Sequence, residues 1–297
     1  MTELQESSIV CSEMSREVGE QLFGTCVRVD VWFLLEYTRA WGAKAFEESD
    51  LQDNVKNWLN GQLKAVPNSR LHFIRQGAAH DSISFYVGIA REQRPHIHKF
   101  VLETYDDLVL LDIPKIITGD VAEPTNETLF LVCTNGKRDR CCAKHGVPLY
   151  NAMSDIAGES VWQTTHIAGH RFAATMLCFP YGLCYGRLRA DDARVVVEAY
   201  HSGKIILDKL RGRSCYSPLA QAAEYYLREH TASYGIDDLK LHDERVDCVD
   251  FELAGQLYRV QLDAKLSEWA SYQSCNAPGP ERVTQYFLKS VQTIERI

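Results

Sequence analysis

The chain has 297 residues, of which 45% are hydrophobic and 24% are charged, a balance typical of a soluble globular protein of roughly two domains. The net charge of −8 argues against DNA and acidic membrane surfaces as partners, because both attract clustered Lys and Arg. No apolar run is long enough to cross a bilayer, and the acidic opening MTELQESSIVCSEMSREVGEQL lacks the basic head and apolar core of a secretory signal. We therefore expect a cytoplasmic protein with no nucleic-acid or membrane partner.

The first part of the chain, residues 1–124, is predicted to be an α/β unit. RVDVWFLLEY is typical of a buried strand, and an amphipathic helix follows with Val55, Leu59 and Leu63 at four-residue spacing. Strands are then predicted in LHFIRQ, in ISFYVGIA and, as a pair, in HKFVLETYDDLVLLDI. The turn-prone EPTNET, residues 123–128, marks the first boundary.

The middle part, residues 125–210, is also predicted to be α/β. It opens with the strand TLFLVC, continues through a helix near VPLYNAMSDI, and reaches the strand VWQTT. A hairpin is predicted from ATMLCF to LCYGRL, turning at Pro180 and Gly182. The helix ARVVVEAYHSG follows, with Gly203 as its C-terminal cap.

The last part, residues 211–297, is predicted to be a small α+β segment. Ser217 followed by Pro218 is a good start for the helix LAQAAEYYLREH. The strands DCVDFEL and QLYRVQL are expected on either side of a turn at Ala254 and Gly255.

The ten cysteines divide into two groups. Seven lie in or beside apolar or small-residue runs and are expected to be buried free thiols, because disulfides are rarely structural in the cytosol. These are Cys11, Cys26, Cys178, Cys184, Cys215, Cys248 and Cys275. The other three, Cys133, Cys141 and Cys142, cluster in CTNGKRDRCC, directly after a predicted strand.

Two histidines four positions apart stand in HIAGH, as His166 and His170. That spacing places both on one face of a helix, but the preceding β-prone residues and Gly169 predict a bend after a strand instead. A helical metalloprotease motif would need a glutamate directly after the first histidine, where this chain has Ile167. The sequence therefore predicts a loop that presents two imidazoles.

These histidines and two of the clustered cysteines form the pattern C-x8-C-x23-H-x3-H, made of Cys133, Cys142, His166 and His170. Two thiolates and two imidazoles suit a tetrahedral zinc ion, and a sulfide-bridged pair of irons also takes four such ligands. Spacing alone leaves both metals open, together with a third interpretation in which the cysteines are simply buried and the histidines belong to a structural bend.

The run CTNGKRDRCCAKHG followed by THIAGHRFAATMLCFPYGLCYGRL resembles the sucrase/ferredoxin-like family. The resemblance implies an α/β fold with a thioredoxin-like ferredoxin domain at residues 125–210. A cluster-free α/β domain at 1–124 would precede it, and the α+β segment at 211–297 would follow it.

The resemblance also implies a [2Fe-2S] cluster with two histidine ligands outside the Rieske fold. Cys133 and Cys142 would hold one iron, and His166 and His170 the other. Counting from Arg138 and Asp139 assigns the second thiolate ligand to Cys142 rather than to its neighbour Cys141, although Ala143 stands where some members of the family have glycine.

A cluster of this kind implies an electron-transfer protein with an unidentified redox partner. Neutral imidazoles in place of thiolates raise the potential to roughly −150 to +300 mV, against about −400 mV for all-cysteine plant-type clusters. If a histidine takes up a proton when the cluster is reduced, proton transfer would be coupled to electron transfer.

Charged neighbours of the predicted ligands are candidates for tuning the site. Four cations would raise the potential or dock an acidic partner unless they are ordinary surface charges; they are Arg138, Arg140, Lys144 and Arg171. Asp139 could orient a ligand loop by accepting backbone N–H groups, or simply pair with an arginine. His98 and His145 fall outside the motif and are assigned no role.

Two other function classes are considered. One is a binding module stabilised by zinc, which would be colourless where an iron–sulfur protein is brown. The other is a thiol-redox enzyme that uses Cys141 and Cys142, which is weaker because a Cys-x-x-Cys opening a helix is missing. We expect no sucrose hydrolysis, since no motif singles out a pair of carboxylates.

Overall fold

The computed structural model describes residues 10–77, 82–121 and 123–295. Its strands are β1 Val31–Glu36, β2 Ser69–Arg75, β3 Ile83–Ile89, β4 His96–Leu102, β5 Leu129–Cys133, β6 Val161–Thr164, β7 Met176–Phe179, β8 Leu183–Tyr185, β9 Leu210–Arg213, β10 Leu239–Glu244, β11 Cys248–Leu253, β12 Gln256–Leu266 and β13 Thr284–Ile294. Its α-helices are α1 Cys11–Glu17, α2 Asp53–Ala65, α3 Ile113–Thr118, α4 Arg140–Ala157, α5 Ala193–His201 and α6 Pro218–Thr231.

Nine strands form one mixed sheet in the order β4-β3-β1-β2-β6-β5-β7-β8-β9. The sheet continues across the predicted boundary near residue 124, because β2 pairs antiparallel with β6 and Ile74 lies opposite Thr164. The two halves that the sequence separates therefore share one sheet, and their division into domains stays a prediction. The mixed α/β class is confirmed.

Strand β1 lies inside this sheet, and every one of its six residues is buried. Its side chains alternate between the two faces, so that Trp32 and Leu34 belong to one core and Phe33 and Leu35 to another. Helix α2 covers the second core with Val55 and Leu59. A strand covered on both faces is expected to be continuously apolar, as VWFLL is, and Glu36 at the end of β1 accepts a 2.9 Å hydrogen bond from the Ser84 N–H.

The smaller sheet is antiparallel, in the order β10-β11-β12-β13, and packs against α6. Helix α6 begins at the predicted place, where the Ser217 hydroxyl accepts a hydrogen bond of 3.0 Å from the Ala220 N–H. The predicted strands on either side of Ala254 and Gly255 are β11 and β12. The C-terminal α+β arrangement therefore forms as expected.

One local prediction is wrong, and one predicted helix is longer than expected. The second strand expected in HKFVLETYDDLVLLDI is a 3-10 helix at Tyr105–Leu110. Thr104 and Asp107 form a reciprocal capping box there, which satisfies the first N–H groups of a helix and outweighs the apolar run. The helix expected near VPLYNAMSDI is longer than predicted and begins at Arg140, so the adjacent cysteines lie in its first turn.

Within the described ranges, no helix combines the length and apolarity needed to cross a membrane.

Candidate metal centre

The first two predicted ligands lie where β5 passes into α4. Cys133 is the last residue of β5, and Cys142 is the third residue of α4. The Asp139 carboxylate accepts a 2.8 Å hydrogen bond from the Cys141 N–H, which caps the helix and sets where it begins. Asp139 therefore accepts backbone N–H groups, as one of the two sequence interpretations expects.

A glycine allows α4 to approach the end of β5 closely. A Cβ atom on Gly146 would stand 2.0 Å from the Cys133 carbonyl oxygen, far inside van der Waals contact. Only a residue without a side chain fits between the two backbones. Gly146 therefore contributes to the short distance between Cys133 and Cys142.

The two histidines lie in a bend, as the sequence predicts, and no α-helix forms at HIAGH. Strand β6 ends at Thr164, and a short 3-10 turn begins at His170. Ala168 and Gly169 both adopt positive φ, 82° and 76°, which turns the chain between the two rings. Left-handed backbone at two successive residues excludes a regular helix.

Arg211 holds this bend in place. Its guanidinium donates hydrogen bonds to the Ala168 carbonyl at 2.9 Å, to the Thr25 hydroxyl at 3.0 Å and to the Thr25 carbonyl at 2.5 Å. A Cβ on Gly169 would stand 2.6 Å from the same guanidinium. Sequence reasoning missed Arg211, because nothing in LRGRSCY indicates which distant carbonyls its side chain will meet.

The four predicted donors come together. Three donor atoms lie within 4.8 Å of one another, namely the sulfurs of Cys133 and Cys142 and a ring nitrogen of His166. His170 Nδ1 lies 3.4 Å from Cys142 Sγ, and its ring stacks on that of His166 with centroids 3.6 Å apart. His166 Nδ1 is buried and has no hydrogen-bond partner among the residues that the structure describes. The donor set therefore fits a metal ion or an iron–sulfur cluster.

Burial and mutual contact shift the pKa values of three of these donors, those of Cys133 and His170 toward the forms that bind metal and that of Cys142 away from it. The hydrogen bond from the Cys142 thiol, with help from His166, holds the pKa of Cys133 well below its usual value. The same pairing raises the pKa of Cys142. Burial lowers the pKa of His170 to about 3, with the neighbouring His166 adding to the shift. A thiolate and neutral imidazoles are the ligating forms.

The adjacent Cys141 faces a different group. Its sulfur lies 3.6 Å from Cys11 Sγ and 3.3 Å from Cys275 Sγ, whereas Cys142 faces Cys133. Neighbouring residues in a helical turn point in directions about 100° apart, which separates the two thiols. This geometry favours Cys142 over Cys141 beside the histidines and argues against the pair acting as one redox dithiol.

Five of the seven cysteines expected to be buried free thiols are buried, and Cys215 and Cys275 are only partly buried. Cys11 and Cys275 meet at Cys141 although 264 residues separate them. No spacing rule links residues so far apart in sequence, so the local pattern could not indicate the contact.

The neighbouring cations have different surroundings. Arg171 pairs with the buried Glu20 at 2.6 Å, and Lys144 pairs with Glu13 at 2.7 Å on the surface. The Arg140 side chain hydrogen-bonds Cys275. Of these four cations, only Arg138 is part of the lining of a cleft that reaches His166.

That cleft, of about 440 Å³, connects His166 to the surface. Its lining includes the cations Lys44, Arg70 and Arg138 and the acid Glu47. Arg70 also donates a 3.3 Å hydrogen bond to the His166 carbonyl. One face of the otherwise buried donor group is therefore approachable from a predominantly basic opening.

Together, the fold and the donor group define a mixed α/β protein with cysteine and histidine side chains arranged to bind a metal. Residues 22–212 match the sucrase/ferredoxin-like family, and the chain belongs to that family. The match includes all four predicted ligands, whereas Cys11 and Cys275 lie outside it.

A curated relative is similar over a shorter stretch. It is "Altered inheritance of mitochondria protein 32" from Meyerozyma guilliermondii, and it is 30% identical over 97 residues. The alignment covers 29% of this chain and 34% of the relative. The chain thus spans about a third of the length of the relative that it matches.

Proposed function

We propose that the protein is an electron carrier with a [2Fe-2S] cluster. Cys133 and Cys142 would hold one iron, and His166 and His170 the other. The observation that carries the proposal is the convergence of these four donors from β5, α4 and the bend after β6. The donor set suits zinc as well, and membership of a family described as ferredoxin-like favours iron.

The cluster would supply a centre that accepts and returns one electron, and the surrounding residues would tune that exchange. The neutral imidazoles leave the centre less negative than four thiolates would, which raises its potential. Burial of Cys133 and Cys142 excludes water from the sulfurs. These features suit a carrier of moderate potential.

The cleft beside His166 supports a partner with an acidic surface. Lys44, Arg70 and Arg138 at its lining would attract such a partner electrostatically and bring its redox centre near the imidazole. We propose a redox protein in the cytoplasm as this partner, rather than a nucleic acid or a membrane. Electron-transfer rates that fall steeply as salt is raised would support this docking mode, and rates insensitive to salt would contradict it.

Analysis of anaerobically purified protein tests the proposal. We expect a brown protein with about two irons and two sulfides per chain and with visible absorption that bleaches on reduction. Cys142→Ser should lose the iron, whereas Cys178→Ser, which changes a buried cysteine elsewhere in the same sheet, should keep it. A colourless protein with zinc at the four donors would contradict the carrier and support the zinc-stabilised module.

Proton coupling is a further part of the proposal. A midpoint potential that falls as pH rises between about pH 6 and pH 9 supports it, and a flat potential over that range contradicts it.

A further inference from the structure

A second group of metal-binding side chains lies on the other side of the α4 start. It consists of Cys11 from α1, Asp139 and Cys141 from the beginning of α4, and Cys275 from the segment between β12 and β13, and we refer to it as the three-cysteine group. All four donor atoms lie within 4.8 Å of one another. The group draws on three distant parts of the chain.

The three sulfurs form a nearly equilateral triangle. The distances are 3.6 Å between Cys11 and Cys141, 3.3 Å between Cys141 and Cys275, and 3.5 Å between Cys275 and Cys11. Thiolates about 2.3 Å from a tetrahedral zinc ion stand ~3.8 Å apart. The triangle is therefore only slightly smaller than the one that a single zinc ion requires.

Asp139 supplies an oxygen at the fourth position. Its Oδ2 lies 4.0 Å from Cys11 Sγ and accepts a 2.7 Å hydrogen bond from the Cys275 N–H. That hydrogen bond keeps the carboxylate turned toward the sulfurs. Three thiolates and one carboxylate oxygen make a set of four donors that zinc accepts.

The surroundings favour a closed structural site. Cys11 and Cys141 are fully buried and pack with Ala173 and Tyr272. The Ser12 hydroxyl lies 3.4 Å from Cys141 Sγ and could donate to a thiolate.

We propose that the three-cysteine group binds one structural Zn²⁺ ion through Cys11, Cys141, Cys275 and Asp139. The ion ties the N-terminal helix and the β12–β13 segment to the start of α4. Cys11 and Cys275 lie outside the residues that match the family, so the site is an addition to the family's shared part. It does not depend on the proposed electron carrier.

Zinc content and zinc-edge X-ray absorption of the full chain test this site. Anaerobically purified protein should contain about one zinc per chain, with three sulfur neighbours at about 2.3 Å and one oxygen at about 2.0–2.2 Å. The absorption edge reports on zinc alone, so iron at the other site does not interfere. The wild-type measurement also decides the question if a variant fails to fold.

Variants locate the ion. Cys11→Ser and Cys275→Ser should each lower the zinc content at least tenfold. Cys215→Ser is the matched control, because Cys215 is a partly buried cysteine outside both donor groups, and it should keep its zinc. Iron is measured on the same samples and should stay unchanged in all three.

Several results would overturn the site. The first is a wild-type protein that contains no zinc and takes up none from added zinc chloride. The second is an absorption spectrum with two sulfur and two nitrogen neighbours around zinc. The others are a disulfide among the three cysteines and full zinc content in both Cys11→Ser and Cys275→Ser. Iron present without zinc would reject this site alone. Zinc with three sulfur neighbours and no iron would reject the electron carrier alone.

Discussion

At the scale of single residues, adjacent side chains at the start of α4 serve different groups. Cys142 faces Cys133 and the histidines, whereas Cys141 faces Cys11 and Cys275. Asp139 caps the start of α4, which carries both cysteines, and its carboxylate accepts N–H groups from Cys141 and Cys275. A single capping residue therefore contributes to the geometry of both candidate sites.

Replacing a histidine by cysteine tests the assignment of the iron ligands. In His170→Cys an anionic thiolate replaces a neutral imidazole, so the cluster should persist and its midpoint potential should fall by on the order of 100 mV or more. Potentiometric titration followed by visible absorption measures the shift. His201→Gln, at an exposed residue of α5, should leave the potential unchanged. An unaltered potential in His170→Cys would remove His170 from the ligand set.

At the scale of elements, the donor group depends on how closely α4 packs against β5. Gly146 permits the contact, and Asp139 sets the start of the helix. The histidine bend follows β6, the parallel neighbour of β5, so the ends of two adjacent strands and one helix meet at the same edge of the sheet. Ligands at such an edge are positioned by backbone that is itself buried.

Gly146→Ala tests this packing. The added methyl group would meet the Cys133 carbonyl oxygen, so α4 must move, and we expect a loss of about 1–3 kcal/mol of unfolding free energy together with a lower iron content. Urea unfolding and iron analysis measure both effects. Gly61→Ala in α2 is the control, because its Cβ meets nothing within 4 Å, and it should stabilise by about 0.5–1 kcal/mol. Equal iron content in Gly146→Ala and Gly61→Ala would show that the close packing at Gly146 does not support the donor group.

At the scale of the whole molecule, the nine-stranded sheet joins parts of the chain that the sequence presents as separate units. Trp32 and Ile74 from the first part share a core with Cys133 and Trp162 from the second. Arg211 in β9 adds a polar link, because it reaches both Thr25 and the histidine bend. The candidate cluster site is therefore supported by residues outside the predicted range 125–210.

Arg211→Lys tests that long-range support. Lysine keeps the charge but lacks the guanidinium fork, so the bend should lose at least one of its anchoring hydrogen bonds and stability should fall by about 1–3 kcal/mol. We expect faster loss of the visible absorption in a chelator and an unchanged iron content in freshly prepared protein. Arg194→Lys, at an exposed arginine, is the control. Identical bleaching rates in the two variants would show that the bend holds without Arg211.

Much of the local structure is predictable from the amino-acid sequence, because it depends on nearby residues. Ser217 caps α6 where expected, and Val55 and Leu59 face the core from α2. The bend at HIAGH also follows from β-prone residues and Gly169. The prediction fails at Tyr105–Leu110, where a capping box competes with an apolar run and wins.

By itself, the sequence determined the family and the four candidate ligands, because the motif residues lie within 38 positions of one another, from Cys133 to His170. The tertiary structure places Cys142, the residue that the sequence favours, beside the histidines, and only the tertiary structure brought Cys11 and Cys275 together. The physical reason is that periodicity and capping act over a few residues, whereas a contact across 264 residues depends on how the sheets and helices pack.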